Sequence, residues 1–218
     1  MAHAISYSEF IHGLKVCHSE IISTAGQAVR NSWRYGGYRV GHAGGIEYSW
    51  NRVSEVGQKH FSDYGALYIA CANNGDENNV HHYFIDGIGD KEKENIGLYF
   101  DAHVTNGHFY NNVPLNLGAK HGLFGNYWVG FVASRGTSAH HNWIHGNRAA
   151  QDMDRTSQVG LLELIGLKGL FLGRRNRIFD NTFYDTTPAE FPREAQGIID
   201  GAGLEPEFAH VRQQLDQD

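Results

Sequence analysis

A phrase that returns about every thirty residues constrains this chain more than anything else in it. A polar residue is followed two places later by an apolar one at Ser19/Ile21, Asn51/Val53, Tyr83/Ile85, Asn111/Val113, Asn142/Ile144 and Asn181/Phe183, at intervals of 32, 32, 28, 31 and 39. A second phrase, a small residue opening an apolar or aromatic run, keeps step with it: GYRV at Gly37, ALYI at Ala66, GLYF at Gly97, GFVA at Gly130 and GLFL at Gly169. Periods in this range mark stacked supersecondary units, each unable to bury its apolar face alone.

Helical repeats of similar period need long apolar stripes at helical spacing, and the chain has none. It carries 27 Gly, 12 Phe and 11 Tyr against 4 Pro, with apolar residues in short runs such as 66–70 and 96–100 bracketed by Gly and Asn. That is the pattern of short strands between turns. Short strands at a fixed period, with an inward polar residue at one slot, predict an all-β fold: a right-handed parallel β-helix of about five or six coils. Neighbouring coils would stack about 4.8 Å apart. Asn suits the slot because it tolerates the left-handed backbone of a corner and its amide can bond its equivalent in the next coil.

The expected organisation is a solenoid over residues 1–192 and a C-terminal capping tail over 193–218, with short helices at 190–201 and 207–214 closing the last coil. Such ends need covering, because they expose an apolar cross-section and unpaired strand edges. Residues 1–12 offer little capping sequence. The expectation is that the chain is the C-terminal part of a longer β-helix, or that a homo-oligomer or another partner covers the N-terminal coil.

A net charge of −6 without a Lys/Arg stripe argues against nucleic acid. No apolar stretch approaches the length of a membrane span, and MAHAISYSEF lacks the basic and apolar regions of a signal peptide. Cys17 and Cys71 fall at different slots, so they are expected to be unbridged, buried small apolar residues.

Fourteen His invite a metal reading. His81-His82 and His140-His141 are adjacent pairs, however, and adjacent strand residues point to opposite faces. None sits in HExxH or CxxC spacing, so no metal is assigned. His108 and His140 fall near the Asn slot and fit its polar track.

The carboxylates carry more chemistry. Asp63 precedes a strand in Ser62-Asp63-Tyr64-Gly65-Ala66-Leu67-Tyr68, and Asp101 ends the equivalent strand in Gly97-Leu98-Tyr99-Phe100-Asp101. Both are flanked by aromatics, which sugars use as stacking surfaces. In glycoside hydrolysis one carboxyl protonates the leaving oxygen while the other attacks or activates water. An Asp at a strand end is also a common turn former. The two stand seven slots apart around the coil, about 23 Å if extended, so a shared site requires a sharp turn between them. Glu47 is a third acidic candidate, and Asp86 and Glu163 are weaker ones. Lys59, Lys120 and Arg135 are the cations available to a lyase acting on uronic acids. An acidic polymer would meet a basic groove, which makes neutral glycan the better match to this acidic chain.

At these residues a resemblance appears. NNVHHYFIDGIGDKEKENIGLYFDAHVTNGHFYNNV resembles the right-handed parallel β-helix repeats of carbohydrate-active proteins. SDYGALYI followed by GLYFD is similar to a pattern of glycoside hydrolase family 141, with family 120 a more distant relative. AGLEPEF at 202–208 resembles a phrase that follows the last coil in such proteins. The likeness spans roughly residues 13–210. It implies a glycoside hydrolase with Asp63 and Asp101 as acid and nucleophile or base, and on this reading Glu47, Lys59, Tyr68, Tyr99 and His103 are expected to line the groove. It also implies a carbohydrate substrate, no cofactor beyond a structural calcium, and an extracellular or periplasmic location. The chain departs from the family at Ala102-His103-Val104, where relatives often carry a second acidic residue and small polar ones, and family members are usually longer. A polysaccharide lyase, often calcium-dependent, and a non-catalytic glycan-binding or structural β-helix of tail-fibre or adhesin type are the alternatives, since one fold hosts all three.

Overall fold

Every strand pairing in the described residues is parallel. The structure, a computed structural model, describes residues 4–8, 11–24, 27–32, 43–57, 64–70, 72, 75–88, 95–101, 104–117, 127–131, 134–146, 150–152, 176–208 and 210–211. The strands come in triplets along the chain. The first two are β1 (Ile5–Ser8), β2 (Lys15–Cys17), β3 (Glu20–Ile22) and β4 (Val29–Ser32), β5 (Glu47–Ser49), β6 (Arg52–Val56). Next come β7 (Tyr64–Ala70), β8 (Asn78–His81), β9 (Phe84–Ile88) and β10 (Asn95–Asp101), β11 (Gly107–Tyr110), β12 (Val113–Leu117). The last are β13 (Tyr127–Phe131), β14 (Ser138–His140), β15 (Trp143–His145) and β16 (Ala150–Asp152), β17 (Arg177–Phe179), β18 (Thr182–Tyr184).

Each strand pairs with the one three places on, except that β12 and β15 are neighbours without ladder pairing. The first sheet runs β1-β4-β7-β10-β13-β16, the second β2-β5-β8-β11-β14-β17 and the third β3-β6-β9-β12, with β15-β18 a further pair. Parallel neighbours need a crossover between them, and here the chain visits the other sheets on the way. The chain is therefore all-β with parallel sheets, as the sequence predicts.

Alternation along each strand builds the core. In the second sheet the residues Tyr48, Val80, Phe109 and Ala139 are in register and buried. Val53 and Ile85 do the same in the third sheet, and Leu67, Leu98 and Val129 in the first. The side chains of the three sheets meet in one cluster, in which the Phe100 and Phe109 rings stack with centroids 3.9 Å apart.

The polar slot forms the corner between the second and third sheets, and two expectations about it are corrected. The left-handed residue is not the slot residue but the one before it: His18, Trp50, His82, Asn111, His141 and Asp180 have φ of 50–56°. The slot residues then point inward as Ser19, Asn51, Tyr83, Asn112, Asn142 and Asn181. The fourth is thus Asn112, not Asn111, with steps of 29 and 30 residues on either side. Each Asn carbonyl accepts from the slot N–H one strand triplet earlier: Asn51 from Ser19 at 2.8 Å, Asn112 from Tyr83 at 3.0 Å, Asn142 from Asn112 at 2.9 Å and Asn181 from Asn142 at 3.0 Å.

The second phrase also shifts. Ala66 lies level with Gly97, since Gly65 pairs with Ile96 and Leu67 with Leu98. The residue level with them on β13 is Trp128, because Leu98 pairs with Val129, so GFVA at Gly130 is two places out of step. Just before β4 the counterpart is Ala28, since Val29 pairs with Leu67. Gly37 and Gly169 lie outside the described residues.

A Cβ on Gly97 would stand 2.6 Å from the Trp128 carbonyl oxygen, so two paired backbones would have to part. Gly97→Ala is expected to cost about 1–3 kcal/mol. Gly197, in a helix with nothing within 4 Å of its Cβ direction, is expected to gain about 0.5–1 kcal/mol on change to Ala. Thermal denaturation of both variants checks the pair, and a loss at Gly197 or a gain at Gly97 contradicts it.

Helix α1 (Arg193–Gly201) does not cross the end of the last triplet as expected. It lies along the outer face of the third sheet, where Ala195, Ile198 and Ala202 pack on Phe84, Val113 and Leu115. Apolar residues at three- and four-residue spacing give it that one face. Arg52 of β6 reaches its C-terminal carbonyls, donating to Ile199 O at 2.5 Å and Ala202 O at 3.2 Å, with the guanidinium over the Phe84 ring. A cation there satisfies carbonyls that the helix leaves unpaired. Of the second expected helix, residues 207 and 208 fall in a 3-10 turn (Pro206–Phe208) and residues 210–211 are α-helical, while 209 and 212–214 lie outside the described residues.

Cys17 is exposed, not buried. It stands in register with Ser49 and His81 on the outer face of the second sheet. Cys71 lies outside the described residues.

Candidate functional site

Asp101 ends β10 on the outer face of the first sheet. Its partner on β7 is Ala70, while Tyr64, the first residue of β7, pairs with Asn95 at the other end. Strand alternation puts Tyr68, Tyr99 and Asp101 on the same side. The Tyr68 hydroxyl donates to Asp101 Oδ2 at 2.6 Å, and the Tyr68 and Tyr99 rings meet edge to face at 5.2 Å. Ala70, Ile96 and Tyr127 complete this aromatic patch. The structure thus brings together three of the seven residues singled out in the sequence.

Their geometry differs from an open stacking surface. Tyr68 and Tyr99 are only 6% and 4% exposed, so they form a floor on which the half-buried Asp101 carboxylate is held. Asp63, Lys59 and His103 lie outside the described residues, as do Lys120 and Glu163.

Glu47 is on a different surface. It belongs to β5 of the second sheet, where Lys15 of β2 is its register partner and its Nζ sits 2.7 Å from Glu47 Oε2. That lysine holds the carboxyl below the usual carboxylate range. Asp86 is on β9 of the third sheet, taking a 2.5 Å hydrogen bond from Asn116. Arg135 is exposed beside Thr105. None of the three shares a sheet with Asp101.

The outer face of the second sheet holds what the sequence reading missed. His81, Tyr110, His140 and Phe179 stand in register and stack in a file, with centroids 4.9, 5.5 and 4.9 Å apart. A second file runs beside it along the left-handed corner: Trp50 stacks on His82 at 4.4 Å and lies parallel to His18 at 6.2 Å. The signal was present in the sequence, where His or an aromatic recurs one or two places before the polar slot. Because these rings stack along the direction in which strands repeat, they cover one another's faces and turn edges outward.

The adjacent His pairs do not point to opposite faces. His82 and His141 sit just past their strands, and positive φ swings them back toward their neighbours. Nδ1 of His81 lies 2.7 Å from Nδ1 of His82, and Nδ1 of His140 lies 2.8 Å from Nδ1 of His141. One ring must donate and the other accept, so at least one of each pair is neutral. Burial, and then the neighbouring His81, lowers His82 to about 4. Burial also lowers His81, against Glu47.

A base whose folded pKa is depressed takes up protons more readily when unfolded. Its contribution to stability is full above the unfolded value near 6.5 and is lost as pH falls toward about 4. We expect the melting temperature to drop between about pH 7 and about pH 5, and His82→Asn, which keeps a residue suited to left-handed backbone, to flatten that drop. Equal slopes in wild type and variant would remove His82 as the cause.

Searches against protein-family models, curated proteins and solved structures find no match to this chain.

Proposed function

We propose that the three parallel sheets close into a right-handed parallel β-helix, and that the chain is a glycoside hydrolase acting on a neutral glycan at the outer face of its first sheet. The observation behind this is the Asp101 carboxylate, held by the Tyr68 hydroxyl at 2.6 Å over a buried aromatic floor. The repeated triplet order and the corner ladder support the β-helix, since each strand returns beside its equivalent three places on.

Asp101 takes the role of the base or nucleophile. The phenol orients the carboxylate through Oδ2, and the carboxylate attacks an anomeric carbon or activates a water. Asp63 is the partner acid, and a carboxyl separation of about 5–5.5 Å would give retention of configuration, about 6.5–9.5 Å inversion.

A panel of neutral and uronic-acid polysaccharides tests the proposal. New reducing ends from a neutral polymer, with anomeric outcome read by NMR, support it. Unsaturated products absorbing in the ultraviolet would identify a lyase instead. Binding without turnover on every member would leave a glycan-binding or structural β-helix.

A further inference from the structure

We propose a second carbohydrate site, for a single neutral pyranose ring, in the cleft between the left-handed corner and helix α1. This goes beyond the hydrolase proposal, since the cleft lies on another flank and uses none of the same residues. It encloses about 490 Å³ and is lined by Trp50, His82, Asn111 and Trp143 with Arg193 and Glu194 of α1, a volume within the range of small-ligand pockets, roughly 300–1,000 Å³.

The corner file explains why a ring belongs there. His18, Trp50 and His82 occupy successive corner positions, and each ring covers the face of the next. The following position is Asn111, a small amide where the earlier coils carry rings. His82, the last ring of this file among the described residues, lines the cleft together with Trp50.

Bulky residues are uncommon with positive φ, yet Trp50 and His82 hold φ of 56° and 55°. Helix α1 and the residues just after it fix the arrangement: Gly203 N–H donates to Trp50 O at 2.8 Å, and a Cβ on Gly201 would come within 2.9 Å of the Trp50 ring.

The rim selects the ligand. Asn111 both donates and accepts, Arg193 donates and Glu194 accepts, which matches hydroxyl groups able to do both. One cation and one anion side by side disfavour a ligand with net charge of either sign. Trp143, half-buried on β15, supplies a second aromatic wall. A neutral sugar ring, with C–H groups for the rings and hydroxyls for the rim, fits all of these features.

The indole N–H signals of Trp50 and Trp143 read the site by NMR. Full-length protein would be titrated with glucose, galactose, mannose and xylose, with glucuronate and adenosine as comparisons. We expect saturable shifts at both indoles from at least one neutral sugar. Asn111→Phe, which fills the gap in the file, should weaken binding at least about tenfold. The exposed double variant Arg193→Ala/Glu194→Gln should do the same, and it keeps the test intact if Asn111→Phe does not fold. Asp101→Asn, which removes turnover under the hydrolase proposal, should leave this titration as in wild type. The site is overturned if no neutral sugar gives a saturable shift, if only glucuronate or adenosine does, or if binding survives in the double variant.

Discussion

Asp101→Asn is expected to lower kcat by about 10²–10⁴-fold on any glycan that the wild type cleaves, with little change in KM. The substitution keeps size and shape, and the Tyr68 hydroxyl can still donate to the amide oxygen as it does to Oδ2 at 2.6 Å. What disappears is the negative charge that attacks carbon or removes a proton from water. Tyr68→Phe separates orientation from chemistry. It leaves the carboxylate in place without the Tyr68 hydrogen bond, so a smaller loss, about tenfold, is expected. Kinetics on purified, folded variants decide the matter. If Asp101→Asn retains wild-type kcat, the acid lies elsewhere and Asp101 is a strand-end residue held by a tyrosine.

Asn142→Ala is expected to be the most destabilising single change in the corner ladder, at about 3–5 kcal/mol. Asn142 is fully buried. Its Oδ1 accepts from the Asn112 backbone N–H at 2.9 Å and from Asn112 Nδ2 at 3.0 Å. Its Nδ2 reaches Phe109 O at 3.1 Å, His140 O at 3.0 Å and Asn181 Oδ1 at 2.9 Å. Alanine leaves several of these groups dry and unbonded, each at about 1–3 kcal/mol before relaxation. Asn181 is only half-buried, so water can replace part of its amide, and Asn181→Ala should cost about 1 kcal/mol. Urea unfolding of the two variants measures the difference. Equal losses would mean that water reaches Asn142 as readily as Asn181.

The strands and their parallel order were legible because period and alternation are written in side-chain type. The slot was read correctly at Asn51, Asn142 and Asn181, and one place early at Asn111, where two asparagines stand together. Sequence pattern cannot say which of Asn111 and Asn112 is left-handed, since both suit either place; the hydrogen bond from Tyr83 N–H to Asn112 decides it. The ring files were missed because alternation assigns neighbours such as His81 and His82 to opposite faces, and a left-handed residue breaks that rule. That Tyr68, Tyr99 and Asp101 share a face is readable from two-residue spacing on paired strands. Glu47 was not separable from them: sheet membership depends on how many residues each turn consumes.

The ladder step from Asn112 to Asn142 spans 30 residues and the next, to Asn181, spans 39. Yet the paired bonds are 2.9 and 3.0 Å in the first step and 3.0 and 2.9 Å in the second. Register is therefore set at the corner and is blind to the length of chain between corners. The frame behaves as a rack with interchangeable inserts. Segments between strands can grow, shrink or be exchanged by recombination while the rack keeps its spacing, so new surface chemistry can arise one insert at a time.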